Sequence, residues 1–325
     1  MRPSSFLLKP FNKRGIKRFF WLFLVLAVRL IFVGGDRHCR MTLRIRISGF
    51  VRLARPTYWL MTGGMSALTM LVLTKGSLGG ALDKLLLTTI SMSLITSGGF
   101  AFNDYFDRNP DAVVKPQRPI PTGQVSPKQA LVFSLGLYVA GIALSFALSP
   151  ICIAVVSIDV ILVSMYSLYL KRMSGFFGNL IIGFLIVTTF FYGEAALFDK
   201  LSLASLSLSL VAIGTIGGDI LRDILSLEGD LKVSYPTLPA KIGISLSAKV
   251  GGSFFLVSGV LSIFPYLMGV VGPGYLLILI WAALVGWSFL SLMQNQAVEN
   301  VRKNERMITM AMILLPISMI AGAFT

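Results

Sequence analysis

Residues 85–111 read LLLTTISMSLITSGGFAFNDYFDRNPD. An apolar run, 85–102, stops abruptly at Asn103, Asp104, Asp107 and Asp111. Roughly 20 apolar residues cross a hydrocarbon core as a helix. A lone span in lipid must satisfy its own backbone hydrogen bonds, so the run is a helix rather than a strand. The stretch therefore predicts a membrane helix that carries a group of acids to one face of the bilayer.

Comparable runs lie at 57–74, 129–149, 151–170, 176–198, 201–221, 250–270, 274–293 and 307–325. They are continuous rather than alternating, which disfavours a barrel. The fold class expected is all-α: a polytopic membrane bundle of nine transmembrane helices with two Asp-rich cytoplasmic loops. Composition agrees. The chain has 325 residues, 55% of them apolar and only 13% charged, against about 25% charged in a soluble domain. Intrinsic disorder, a disulfide scaffold and a soluble α/β enzyme are excluded.

The net charge of +15 would suggest nucleic acid in a soluble protein. Here the basic residues sit where they orient a membrane protein, and no nucleic-acid partner is expected. Arg37, Arg40, Arg44, Arg46, Arg52 and Arg55 precede the first run. Arg108, Lys115, Arg118 and Lys128 follow the second, and Lys171 and Arg172 the fourth. Arg222, Lys232, Lys241 and Lys249 follow the sixth, and Arg302, Lys303 and Arg306 the eighth. The alternate connections hold Lys75, Lys84 and Lys200. The bias places the acidic loops in the cytoplasm of a multi-pass cell-membrane protein.

Residues 1–40 form an N-terminal extension ahead of a membrane domain at 41–325. Its apolar run, Phe19 to Val33, contains Arg29 and is flanked by basic residues on both sides. It reads either as an interfacial helix or as residues ahead of a true start at Met41. No small-residue cleavage site marks it as a signal peptide.

The chemistry available is narrow. His38 is the single histidine, and Cys39 and Cys152 are the cysteines. A zinc cluster and a Ser-His nucleophile are therefore not expected. Seven of the 14 acids gather in two places: Asp104, Asp107 and Asp111, then Asp219, Asp223, Glu228 and Asp230. Residues three and four apart share a helix face, so Asn103, Asp107 and Asp111 form one stripe. Asp223 and Asp230 are two turns apart on another. Like charges this close repel unless a cation sits among them. Mg²⁺ suits an oxygen-only donor set and bridges carboxylates to phosphate. Lys115 and Arg118 stand near the first set, Arg222 and Lys232 near the second. Such a mixture suits a diphosphate, and the apolar setting suits a hydrocarbon tail attached to it.

Asn103-Asp104-Tyr105-Phe106-Asp107-Arg108-Asn109-Pro110-Asp111 resembles the NDxxDxxxD motif of the UbiA superfamily of intramembrane prenyltransferases. Arg118-Pro119-Ile120-Pro121-Thr122-Gly123 resembles that superfamily's RPxPxG segment. The second motif departs from the pattern. Ser226 stands where the first Asp of a DxxxD element falls, while Asp223 matches a further Asp of a KDIxDxEGD pattern. Asp219 stands at a position often held by Glu, and Gly218 at one often held by Arg.

The resemblance implies Mg²⁺-dependent transfer of a prenyl group from a prenyl diphosphate to a lipid acceptor. Asn103, Asp107, Asp111, Asp223 and Asp230 would hold the metal, with the four aspartates as the catalytic set. Lys115, Arg118 and Lys232 would neutralise the diphosphate, and Tyr166 and Lys171 would position the acceptor or anchor the interface. Tyr166 to Arg172, followed by Gly175-Phe176-Phe177-Gly178-Asn179-Leu180, is similar to the archaeal branch that adds a geranylgeranyl group to geranylgeranylglyceryl phosphate in ether-lipid synthesis. Ser226, and Trp59 after Arg55-Pro56, are shared with chlorophyll synthases. A pigment or 4-hydroxybenzoate acceptor therefore stays open. An ion-coupled transporter is the non-enzyme alternative, because Asp159 and Glu194 lie within spans. Ser157 and Ser164 are the partners expected for Asp159.

Overall fold

The computed structural model describes residues 43–325, which are helical throughout apart from turns and linkers. The expected extension at 1–40 lies outside the described residues. A short helix α1 (Leu43–Ala54) leads into α2 (Pro56–Leu73), then α3 (Leu82–Phe106) and the short α4 (Arg108–Val114). Next come α5 (Pro127–Ser145), α6 (Pro150–Met165) and α7 (Gly175–Phe198). The short α8 (Leu203–Ser209) runs through one 3-10 turn into α9 (Ile213–Lys232). The chain ends with α10 (Leu238–Leu261), α11 (Phe264–Leu267), α12 (Ile278–Gln294), α13 (Val298–Ala311) and α14 (Leu314–Ala323).

Local chemistry starts several of these helices. Ser126 and Gln129 form a reciprocal capping box, with Pro127 in the first turn of α5. That arrangement satisfies two otherwise orphaned N–H groups. Ser149 accepts from Cys152 N at 3.1 Å ahead of Pro150 and α6.

Eight helical stretches are long and apolar enough to cross a membrane. The ninth expected run, 57–74, forms the 18-residue α2, which lies beside α3 and α7 in the bundle and is less apolar than the eight. Thr62, Gly63, Ser66 and Thr69 of α2 are buried. Its polarity serves the bundle interior, not the lipid. The description of two acidic loops changes. The second acidic set is not in a loop: it lies on the closing turns of α9, whose helix continues to Lys232. The apolar run ended at 221 because the acids interrupt it, yet the hydrogen-bonded helix does not.

The bundle has two large apolar centres and a smaller third, of Phe50, Leu53, Ala101, Ile120, Val125 and Ala130. One large centre gathers Met92, Ile95, Phe102, Tyr138, Val155 and Tyr192 from α3, α5, α6 and α7. The other gathers Phe255, Ile278, Trp281, Leu292 and Ile308 from α10, α12 and α13. Helices α2 and α7 belong to both: Met70 and Tyr192 face the first centre, Val72 and Phe190 the second.

Serine hydroxyls stitch the helices. Ser66 Oγ donates to Thr189 O at 2.8 Å, Ser91 Oγ to Gly141 O at 2.8 Å, Ser134 Oγ to Gly98 O at 2.7 Å, and Ser258 Oγ to Val211 O at 2.9 Å. Hydroxyls of this kind, with small residues, hold helices together where lipid supplies no hydrophobic drive. Glycine permits the closest approach. A Cβ on Gly217 of α9 would stand 2.5 Å from Gly251 O of α10.

Connections that follow alternate spans meet at one end of the bundle. Arg52 donates to Gln117 O at 2.6 Å there, and Gly175 N to Pro236 O at 2.9 Å. At the opposite end Lys84 Nζ donates to Leu197 O at 3.4 Å and Ile151 N to Asp199 Oδ1 at 3.4 Å.

Candidate active site

Helix α3 ends at Phe106 and α4 begins at Arg108, with Asp107 closing one and opening the other. That corner gathers the first acidic set. Asn103 Nδ2 donates to Asp107 Oδ2 at 2.9 Å. Asp107 Oδ1 accepts from Tyr235 OH at 2.7 Å and from Lys171 Nζ. Lys171 Nζ also donates to Asn103 Oδ1 at 2.7 Å. Asp104 Oδ1 accepts from Arg55 Nη2 at 2.7 Å and Arg118 Nη1 at 3.0 Å. Arg118 Nη1 also reaches Asp111 Oδ2.

The three buried acids are thus charge-matched by Arg55, Arg118 and Lys171. Burial pushes the Asp111 carboxyl above the usual carboxylate range, and the Arg118 guanidinium works against that rise. Burial, followed by the Asp107 charge, pushes the Tyr235 hydroxyl up as well, so it stays a donor.

The second set lies on α9. Asp223 Oδ2 accepts from Asn179 Nδ2 of α7 at 2.9 Å. Asp230 Oδ2 accepts from Ser226 Oγ at 2.8 Å. The serine that replaces an expected acid therefore orients one. Asp219 pairs with Arg222, whose other nitrogen lies 3.7 Å from Glu305 of α13.

The helices that carry the two sets touch. A Cβ on Gly229 of α9 would stand 2.8 Å from Val114 Cγ1 of α4. Lys115 lies within electrostatic reach of Asp230. Tyr166 lies near Asp107, Asp219 and Asp223, within reach of both sets. Its ring packs on Gly178, where a Cβ would come within 2.9 Å. Lys232 is placed differently: its ammonium pairs with the exposed Glu228 at 3.1 Å on the outer surface of α9.

Sequence reading gave no site role to Arg55, counted with the orienting arginines, to Asn179, quoted only within a branch motif, or to Tyr235. Arg55 has a left-handed backbone, φ 50, ahead of Pro56. Strain of this kind gathers at functional sites, and only coordinates reveal it. Tyr235 lies in the linker after α9 and carries no local signal. Lys171 was found, but its position depends on a π-helical turn, Tyr166–Leu170, that ends α6. Such turns re-aim the residues that follow and occur often at functional sites.

The acids within spans have other partners. Thr188 Oγ1 donates to Asp159 Oδ2 at 3.1 Å, so the partner of Asp159 is on α7 and is neither Ser157 nor Ser164. Those serines share its own helix, whereas Thr188 faces it. Glu194 accepts from Ser202 N at 2.9 Å and from the Ser202 and Ser205 hydroxyls, fixing the start of α8.

Among the described residues no three His, Cys, Asp or Glu side chains converge on a ready metal cage. The donor chemistry nevertheless suits a hard divalent cation. Asn103, Asp107, Asp111, Asp223 and Asp230 offer oxygen atoms only, grouped at one end of the bundle, with basic residues beside them. Fit is by donor type and neighbourhood.

Comparison with known proteins agrees with this arrangement. Residues 64–315 match the UbiA prenyltransferase family. The chain is 34% identical over 235 residues to a digeranylgeranylglyceryl phosphate synthase of Natronomonas pharaonis, covering 72% of this chain and 83% of that protein. A solved structure of digeranylgeranylglyceryl phosphate synthase superposes with a TM-score of 0.73 at 25% identity, over 86% of this chain and 99% of that one. A UbiA homologue from Archaeoglobus fulgidus, bound to DMAPP and Mg²⁺, superposes with a TM-score of 0.61 at 14% identity, over 84% and 99%, and shares the fold. Family match and helical fold lead to one assignment: this chain belongs to the UbiA prenyltransferase family.

Proposed function

We propose that the protein transfers a geranylgeranyl group from geranylgeranyl diphosphate to the hydroxyl of geranylgeranylglyceryl phosphate, in the cell membrane, with the acidic end of the bundle in the cytoplasm. One observation carries this reading: α4, which follows Asn103 and Asp107 and holds Asp111, packs on α9, which holds Asp223 and Asp230. The names of the relatives support the choice of acceptor. The Mg²⁺ and DMAPP bound by the Archaeoglobus homologue support the choice of metal and donor class.

Asn103, Asp107, Asp111, Asp223 and Asp230 would hold Mg²⁺, which would supply positive charge to the diphosphate. Arg118 and Lys115 add charge at the same end. The allylic C–O bond breaks and its electron pair leaves with pyrophosphate. Positive groups aimed at that leaving group stabilise the transition state more than the ground state. The glycerol hydroxyl oxygen forms the new ether bond to the allylic carbon and passes its proton to the departing pyrophosphate. An electrophile of this kind needs no strong base. Tyr166, within reach of both acidic sets, forms a wall for the reacting carbon, and the apolar helices exclude water.

The test is an assay of purified protein with Mg²⁺ and geranylgeranyl diphosphate. Geranylgeranylglyceryl phosphate, a chlorophyllide and 4-hydroxybenzoate are offered as acceptors. Ether product and pyrophosphate are expected with the first. Transfer to an aromatic acceptor alone overturns the lipid assignment.

A further inference from the structure

The first acidic set already holds cations, and the chain supplies them. Lys171 Nζ lies 2.7 Å from Asn103 Oδ1 and is bonded to Asp107 Oδ1 as well. Its side chain is only 8% exposed. The π turn at Tyr166–Leu170 delivers it, and Ser167 Oγ shares Asn103 Oδ1 at 3.3 Å. Tyr235 OH donates to the same Asp107 oxygen, at 2.7 Å. The ammonium thus occupies two oxygen groups assigned to the metal under the proposed function.

An ammonium and a divalent ion cannot share these oxygens, because like charges a few ångströms apart repel strongly. A bare metal ion would push Lys171 out of its pair while the ammonium remains buried. Leaving a buried charge without a partner is costly. A diphosphate changes the balance, since it offers the displaced ammonium a charge-assisted bond.

We infer that Lys171 is an internal counter-ion for Asn103 and Asp107, which it releases by moving onto the diphosphate. Metal and diphosphate therefore bind together, each strengthening the other. The inference rests on the proposed function for its assignment of metal and diphosphate to this site.

The test is equilibrium dialysis of the purified protein against Mn²⁺, with and without inorganic pyrophosphate. The protein-free chamber corrects for the metal–pyrophosphate complex. Wild-type affinity for Mn²⁺ should rise about tenfold or more with pyrophosphate, the size expected when one adjacent charge is compensated. Lys171→Met should bind Mn²⁺ alone about tenfold more tightly than wild type and gain less from pyrophosphate. Lys171→Arg, which keeps the charge, should follow wild type.

Equal Mn²⁺ affinity in Lys171→Met and wild type without pyrophosphate overturns the inference. So does a wild-type affinity indifferent to pyrophosphate, and that measurement needs no variant to fold. Both results leave prenyl transfer by the wild type untouched. Transfer without any divalent ion would overturn the metal assignment and this inference together.

Discussion

Asp107 is the most connected carboxylate of the first set, with bonds from Asn103, Lys171 and Tyr235. Asp107→Asn keeps the size and removes the charge. It should lower kcat by on the order of 10²–10³, the usual cost of losing one electrostatic contact to a transition state. A steady-state assay checks this, with insertion and thermal unfolding in detergent unchanged as the control. Asp159 should behave otherwise. It lies mid-span, with Thr188 donating to one oxygen and the other oxygen buried without a hydrogen bond. Asp159→Asn should retain at least about half of the transfer activity, as a buried polar residue away from the reacting atoms does. Loss of activity in that variant alone would return weight to a transport role. At this scale the sequence was informative about acids, because their spacing is set by the helix repeat. It did not tie Arg55, Asn179 or Tyr235 to the acids, which they reach across 49, 44 and 128 positions of chain. Contacts at such separation leave no local pattern.

Helix α9 shows where span reading fails. Asp219, Asp223, Glu228 and Asp230 break the apolar run, so sequence alone ends the helix near 221, yet it continues to Lys232. Hydropathy reports surroundings, whereas the backbone ladder reports helix. The acids are tolerated because partners from other elements meet them: Asn179 from α7, and Lys115 from beyond α4. Their placement depends on how closely α9 lies on α10. Gly217→Leu would set a side chain against Gly251 O and the Phe255 ring, where even a Cβ would come within 2.5 Å and 3.0 Å. Overpacking of this kind costs about 1–3 kcal/mol. The melting temperature should fall, and activity should fall further than stability, since α9 carries Asp223 and Asp230. The linker after α9 offers a milder perturbation. Tyr235→Phe removes one hydroxyl from Asp107 and leaves the ring in place. A charged acceptor that loses one hydrogen bond costs about 1.5–3 kcal/mol. The melting temperature and kcat should therefore both fall.

The whole molecule is polarised. One end carries Arg52, Arg55, Arg118, Lys171 and both acidic sets, joined by bonds between connections that follow alternate spans. The other end carries Lys75, Lys84 and Lys200 and is closed by Glu194 and Asp199. Basic residues beside spans resist translocation, so the first end should face the cytoplasm, where a water-soluble diphosphate head could enter. Single cysteines test this in a Cys39→Ser, Cys152→Ser background. Val113, 62% exposed on α4, marks the acidic end. Ser77, exposed between α2 and α3, marks the opposite end. A membrane-impermeant maleimide added to intact cells should label Ser77→Cys and spare Val113→Cys. Both should react once the membrane is opened. The reverse pattern would place the carboxylates outside the cell, and with them the diphosphate chemistry. The bias read from sequence would then have been set by something other than the loops that the bundle brings together.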